Sequence, residues 1–235
     1  MKGPLRLAAT TATVILTLAL TLMAGLPSAS ADSSTAWAQS RLGALGCDAG
    51  IADGVIGAHT RAGVWRFQSA NGLSRDGILG PVTSATLHST SAKRCDRRPV
   101  PTGSGTGRRI VVSQGQNWVW LVRSDGTVYS QGGIVDNPSV LAKGSYTSGV
   151  SCGGAAHIRH HVAEGGLILD NFSRFAPCGI GFHRIPRYPP TGAQIHADWL
   201  LGTEQARSHG CVRLSLAMSL RVWEFTASPT RVRVI

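Results

Sequence analysis

Ser208-His209-Gly210-Cys211-Val212-Arg213 sets a cysteine in a glycine-bearing turn, with a histidine shortly before it and an arginine shortly after. Cationic neighbours and aligned backbone N–H groups lower a thiol pKa from about 8.5 toward neutrality, and the thiolate is the nucleophilic form. The run therefore predicts a reactive thiolate at Cys211. Gly210 permits backbone angles that would aim the N–H groups of Gly210 and Cys211 at one point, where a tetrahedral oxyanion could sit. A cysteine nucleophile also needs a base within hydrogen-bond reach, and His183, His196 and His209 are the candidates. Their spacing does not choose among them. His157, His160 and His161 have no Asp, Glu or Cys set around them at a structural-zinc spacing, so no metal is expected.

The five cysteines, at 47, 95, 152, 178 and 211, are an odd number. Lys2 and Arg6, an apolar run from Leu7 to Gly25, and Ala29-Ser30-Ala31 just before Asp32 form the three-part pattern of a secretory signal peptide over residues 1–31. No other stretch approaches the roughly 18 consecutive apolar residues of a membrane span, so the mature chain is expected outside the cytoplasm, without a span. In an oxidising compartment four cysteines can pair and one is left over. Cys47 and Cys95 bracket the first segment while Cys152 and Cys178 lie together in the second. Two intradomain bridges and a free Cys211 are expected, although four cysteines allow three connectivities. The net charge of +11 predicts an acidic partner. For a secreted chain that means anionic wall polymers, membrane surfaces or carboxylate-rich peptides, not nucleic acid.

The elements that must position these residues fall into two groups. Asp53-Gly54-Val55-Ile56-Gly57 with Thr60 recurs 23 residues later as Asp76-Gly77-Ile78-Leu79-Gly80 with Thr83. Each Asp-Gly is a turn, and each Thr precedes a run that can wind into a helix, Arg61–Ala70 and Ser84–Thr90. Val64 and Phe67 face a core at helical spacing, with Gln68 beside them. With an earlier helix over Thr35–Leu45 this makes a three-helix domain over 32–91, small enough for a Cys47–Cys95 bridge to help it. Its run DGVIGAHTRAGVWRFQSANGLSRDGILGPVT resembles peptidoglycan-binding domains of wall hydrolases and transpeptidases, which implies contact with cell-wall glycan or peptide. Residues 92–107, rich in Lys, Arg, Pro, Gly, Ser and Thr, read as a flexible linker. Beyond them Ile110–Val112, Trp118–Val122 and Thr127–Ser130, with an Asp125-Gly126 turn, carry hairpin signals. Further β segments are expected at Gly166–Ile168, Gly179–Phe182 and Arg231–Val234, and a helix at Leu216–Phe225. The fold class is thus multidomain, a small all-α domain followed by a mostly β domain over 108–235 with short helices.

The SHGCVR run resembles the signature of L,D-transpeptidase catalytic domains of the YkuD type, and the resemblance extends to RRIVVSQGQNWVWLVRSDGTVYSQGG, GFHRIPRYPPTG and LGTEQARSHGCVRLS. It implies that Cys211 is the nucleophile, that His183 is the base oriented by the backbone carbonyl of Arg184, and that His209 and Gly210 belong to the catalytic loop. His183 stands 28 positions before Cys211, further than in the shortest family patterns, and His196 stands 15 before it. His183 is preferred because TGAQIHADWLLGT looks like an inserted segment. Arg213 could bind a substrate carboxylate or tie the loop to its neighbours. Ser208, Phe182 and Tyr188 are the remaining substrate-binding candidates, and Phe172 and Phe175 either line a stem-peptide cleft or pack. The implied activity is formation of 3-3 crosslinks from a donor tetrapeptide stem and an acceptor amine by a monomer that needs no cofactor. The alternatives are an L,D-carboxypeptidase-type hydrolase on the same stems and a non-catalytic wall-binding protein.

Overall fold

The computed structural model describes residues 32–150 and 154–235. The signal peptide read over 1–31, Cys152 and the side chain of Cys178 lie outside the described residues, and with them the second disulfide.

Three helices open the described chain: α1 (Ser33–Ala44), α2 (Ala58–Asn71) and α3 (Pro81–His88). The Asp32 side chain caps α1 by accepting from the Ser34 N–H at 3.0 Å. Gly72 ends α2 in the left-handed conformation, and Pro81 opens α3 where its missing N–H costs nothing. The sequence repeat has a physical basis that periodicity does not reveal. Each Asp-Gly loop folds around one buried glutamine from the preceding helix. Gln39 Nε2 donates to Asp53 Oδ1, Val55 O and Thr60 Oγ1, and its Oε1 accepts from the Gly54 N–H. Gln68 repeats the set with Asp76 Oδ1, Ile78 O, Thr83 Oγ1 and the Gly77 N–H. Gly54 and Gly77 sit at φ 76° and 70°, so each loop needs its glycine. Cys47 and Cys95 are bonded and fully buried in the core of this unit, beside Leu42, Phe67 and Leu87.

The rest of the chain builds two sheets. One has the order β3-β2-β1-β9-β4, from β1 (Arg109–Ser113), β2 (Trp118–Val122), β3 (Val128–Gly133), β4 (Gly144–Thr147) and β9 (Arg231–Val234). The other runs β5-β6-β7-β8, from β5 (His157–Val162), β6 (Ile168–Arg174), β7 (Gly181–Arg184) and β8 (Val212–Leu214). Helix α4 (Leu216–Phe225) contributes Met218, Val222 and Phe225 to the core shared by both sheets. Alternation sends Ile110, Val112, Val119 and Leu121 into that core, and Val111, Trp118, Trp120 and Val122 into a second cluster on the other face. Both faces are covered, so β1 and β2 are buried along their whole length.

What covers the second face is the segment expected to be a flexible linker. It forms no helix or strand, yet it is anchored by Arg98, a buried residue. Arg98 donates to Cys95 O, Ser69 Oγ, Gln116 O and Arg66 O, its guanidinium lies 4.0 Å above the Trp118 ring, and its carbonyl accepts from Trp120 Nε1. A second buried arginine, Arg66 on α2, joins the helical unit to the β part. It donates to Cys47 O and Asp48 O on its own side and to Trp199 O and Leu201 O across the junction. Burial lowers the pKa of Arg66 to about 10 and that of Arg98 to about 9, so both stay charged at neutral pH. Helix α2 and the β part are thus docked through a charged, carbonyl-satisfied contact.

The glutamine clamps make a stability prediction. Gln68→Leu removes every partner of a loop carbonyl, a hydroxyl and a backbone N–H at once, and each orphaned group costs about 1–3 kcal/mol. The expected loss is roughly 2–4 kcal/mol with partial compensation by water. Thermal and urea unfolding of Gln68→Leu against an exposed control, Gln205→Leu, reads it; equal midpoints would remove the clamp from the account.

Candidate active site

Strand β7 pairs antiparallel with β6 and parallel with β8, in register His183 with Arg213 and Phe182 with Val212. The pairing brings His183 beside Arg213 of β8, the strand that Cys211 immediately precedes. Along β7 the pleat alternates. His183 faces a cavity of about 620 Å³ that Cys211, Ser208, His209 and Arg213 also line. Phe182 faces the opposite way, fully buried and stacked on Phe175 with ring centroids 4.4 Å apart. Phe182 is therefore a core residue and not the substrate contact expected of it.

Two backbone strips hold the cysteine loop. The N–H of Ser208 donates to Asp136 O at 3.2 Å, and Asn137 Nδ2 donates to Ser208 O at 3.0 Å. Val135 and Arg213 exchange both backbone hydrogen bonds. Within the loop, Ser208 Oγ accepts from the Gly210 N–H at 2.9 Å. That bond occupies one of the two N–H groups expected to form an oxyanion site, leaving the N–H of Cys211. Gly210 has φ 135°, and a Cβ there would come within 2.8 Å of Val140 Cγ1, so glycine is required on both counts.

His183 is almost fully buried, and its Nδ1 is hydrogen-bonded to the carbonyl of Arg184 at 2.5 Å. A carbonyl accepts only, so Nδ1 carries the proton and Nε2 is the basic nitrogen. The Arg184 side chain is turned elsewhere, to Gln194 Oε1 at 3.3 Å and Asp170 Oδ2 at 3.5 Å. Phe172 stands between His183 and His161, with centroids 6.3 and 5.0 Å away, and forms a wall of the cavity. Arg213 is buried, with no carboxylate within ion-pairing distance among the described residues. His209 lies exposed at the rim. Tyr188 does not line the cavity; it is half exposed in a turn where its N–H donates to Ala193 O. His196 does not line it either. Its Nδ1 meets Ala197 O at 3.1 Å, and its Nε2 is buried without a partner.

The electrostatics differ from the expected thiolate. Burial pushes the Cys211 thiol above its usual value of 9.0; the Gly181 N–H, Arg213 and Arg174 pull the other way and are outweighed. Burial likewise holds His183 down to about 4, against the pull of the Arg184 carbonyl, while Arg213 and His161 add to the depression. At neutral pH the resting pair is thus a thiol and a neutral imidazole, because desolvation outweighs the Gly181 N–H and the two arginines at Cys211 and the Arg184 carbonyl at His183. Sequence reasoning missed the cradle at Val135–Asn137 and the place of Glu164 on the cavity lining. Apart from Asn137 Nδ2, the cradle acts through backbone atoms, which leave no mark on residue type.

Residues 32–87 match the family model for a peptidoglycan binding domain. No curated protein matches the chain. Among solved structures, the chain is similar to an L,D-transpeptidase from Xylanimonas cellulosilytica, with 24% identity over 87% of this chain and 94% of that one and a TM-score of 0.47. It is also similar to an L,D-transpeptidase from Stackebrandtia nassauensis, with 21% identity over 87% and 92% and a TM-score of 0.43. The catalytic domain of the E. faecium L,D-transpeptidase shares 17% identity over 57% of this chain and all of its own, with a TM-score of 0.40.

The neutral resting pair predicts a pH dependence. Above about 4 His183 is already neutral and contributes no limb, while Cys211 titrates above 9.0. Between pH 6 and pH 8 the thiolate fraction, and with it the rate of alkylation by iodoacetamide, rises about tenfold per pH unit without a plateau. Mass-detected alkylation of Cys211 that levels off near pH 7 would indicate a thiolate–imidazolium pair instead.

Proposed function

We propose that the chain is a cell-wall acyltransferase, an L,D-transpeptidase that works through a thioester on Cys211. The observation that carries this reading is the convergence of Cys211, His183 and an unpaired Arg213 on one cavity, in a chain whose residues 32–87 match a peptidoglycan-binding model. The substrate is a tetrapeptide stem whose free carboxylate Arg213 would hold. Nε2 of His183 takes the Cys211 proton as the sulfur attacks the carbonyl joining the third residue, a diamino acid, to D-Ala, and it then protonates the departing D-Ala amine. The N–H of Cys211 faces the developing oxyanion, a contact worth about 3–4 kcal/mol in comparable sites. An amine from a second stem, deprotonated by His183, opens the thioester to give a 3-3 crosslink; water gives a tripeptide. No cofactor enters these steps. The chain acts outside the cytoplasm on wall polymer, with residues 1–31 as a removable signal and residues 32–91 and 108–235 as its two domains.

Incubation with purified tetrapeptide muropeptides, followed by mass analysis, separates crosslinked dimers from hydrolysed tripeptides, and Cys211→Ala is expected to yield neither. If Cys211→Ala retained full activity, the nucleophile would have to be sought elsewhere. Acylation by a carbapenem, followed by intact mass, tests the base without the natural substrate. His183→Ala should slow it by about 10³-fold or more, as loss of a paired base does, and His196→Ala by less than about threefold. The reverse result would move the base to the inserted segment.

A further inference from the structure

A cleft of about 430 Å³ lies in the seam where the helical unit meets the β part, and it shares no residue with the Cys211 cavity. That volume is in the range of small-molecule sites, about 300–1,000 Å³. Three separate segments wall it. Ser69 on α2 and Arg75 beyond its end form one side, Lys93 and Arg98 from the segment read as a linker form another, and Gly115 and Gln116 between β1 and β2 close it. The cations are held in place. Asn71 Oδ1 accepts from the Lys93 N–H at 2.9 Å, and Asn71 Nδ2 donates to Lys93 O at 3.3 Å. Arg75 donates to Gly115 O, and Arg98 is only 3% exposed. Their charge is not balanced. Arg75 has Glu204 at 2.9 Å, but Lys93 and Arg98 have no carboxylate within ion-pairing distance among the described residues, and no Asp or Glu lines the cleft. The carbonyls around Arg98 satisfy hydrogen bonds and leave its charge uncancelled. Burial, with Arg66 and Arg75 repelling it, presses its pKa down to about 9, so it is still ionised at neutral pH. The negative end of α2 offsets about half a unit. More than one positive charge therefore remains without a counterion.

We infer that this seam cleft binds a carboxylate, that of an acylated amino acid with a small apolar side chain, and that the ligand ties its three walls together. The site is separate from the chemistry proposed at Cys211. One carboxylate supplies the missing charge, and uncommitted donors are at hand for its oxygens. Arg98 spends four of its five N–H groups, on Cys95 O, Ser69 Oγ, Gln116 O and Arg66 O, which leaves one on Nη2. The Lys93 ammonium and the Gln116 side-chain amide make no hydrogen bond among the described residues, and both residues line the cleft. The rest of the lining selects the kind of anion. Ala70, Leu73 and Pro99 set alkyl surface beside the cations. An alanine-type residue puts its methyl against that surface, whereas a phosphodiester would bring the hydroxyls of its flanking sugar or polyol there and gain nothing for desolvating them. Each wall comes from a different segment, so the full set of donors exists only while the helical unit and the β part are docked. A ligand bound there stabilises the docked arrangement by mass action.

The test uses the full mature chain, 15N-labelled. N-acetylalanine, its neutral amide, inorganic phosphate and sodium chloride at matched ionic strength are titrated separately. N-acetylalanine should bind in the millimolar range and shift the backbone amides of Gly72, Gly115 and Gln116 together, while any binding beside Arg213 moves the Cys211 and Arg213 amides and is read apart. At about ten times its Kd it should raise Tm by about 3–6 °C over the chloride control, a rise that Lys93→Gln loses. Lys93 is exposed, so the substitution leaves the fold intact; Lys93→Gln should weaken binding at the seam by fivefold or more, and Lys93→Glu should abolish it. Seam amides that respond equally to the neutral amide or to chloride, or that respond unchanged in both variants, would overturn the inference. Phosphate binding there more tightly than N-acetylalanine would overturn it as well. None of these readouts needs turnover, so failure here leaves the proposed activity standing.

Discussion

Everything at the Cys211 cavity hangs on one short parallel pairing, three residues of β7 against three of β8. Parallel neighbours cannot be joined by a tight turn, so the chain must leave the sheet after Arg184 and return at Val212. That detour allows His183 and Cys211, 28 positions apart, to face one cavity, because register, not sequence distance, sets where side chains on adjacent strands meet. It also creates a difficulty. The returning segment has no helix of its own beyond a single 3-10 turn at Asp198–Leu200, and it must still deliver Ser208 to Cys211 in a fixed conformation. Arg66 meets the need from another unit by holding the carbonyls of Trp199 and Leu201, and Gly202 packs directly against its stem. The Gly202 N–H is then held by Ile134 O, adjoining the strip that cradles Ser208.

Burial decides the protonation of the cavity's two titrating groups. A thiol and an imidazole in a poorly solvated site both favour their neutral forms, and the charged pair becomes accessible only when something offsets the desolvation. A bound carboxylate-bearing stem would do this on the imidazolium side, while Arg213 and the Gly181 N–H already favour thiolate. On the proposed mechanism, a carboxylate brought in by the stem would thus favour the charged pair, and the empty cavity would favour the neutral one.

Much of this was legible in the sequence, for identifiable reasons. The helix at Leu216–Phe225 and the strand at Arg231–Val234 coincide with α4 and β9, because both carry strong local patterns. The Asp-Gly repeat marked its two loops correctly, although Gln39 and Gln68, which close them, stand at unequal offsets of 14 and 8 from their aspartates and so escape a search for repeats. Strands β4, β5 and β8 were not read. β4 opens with Gly144-Ser145, β5 is His157-Ile158-Arg159-His160-His161-Val162, and β8 lies inside the catalytic run, so none shows an alternating apolar face. Phe182, expected among the substrate contacts, stands next to His183 on β7, and the period-two rule sends neighbours to opposite faces. The flexible linker misled for a different reason. Arg98 organises it by donating to carbonyls, and a polar residue acting as the centre of a packed segment has the composition of a loop.

That last point changes what the helical unit contributes to the proposed activity. On a flexible tether its contribution would be a raised local concentration of substrate, indifferent to direction. Docked through Arg66 and Arg98, it contributes orientation as well. Both arginines are desolvated and satisfied mainly by backbone carbonyls, a contact that keeps its strength only while every donor stays matched. Partial undocking would strand a buried charge, so the junction favours the fully closed arrangement over a range of hinge angles. Wall polymer bound by residues 32–87 would then be held at a fixed distance and angle from Cys211.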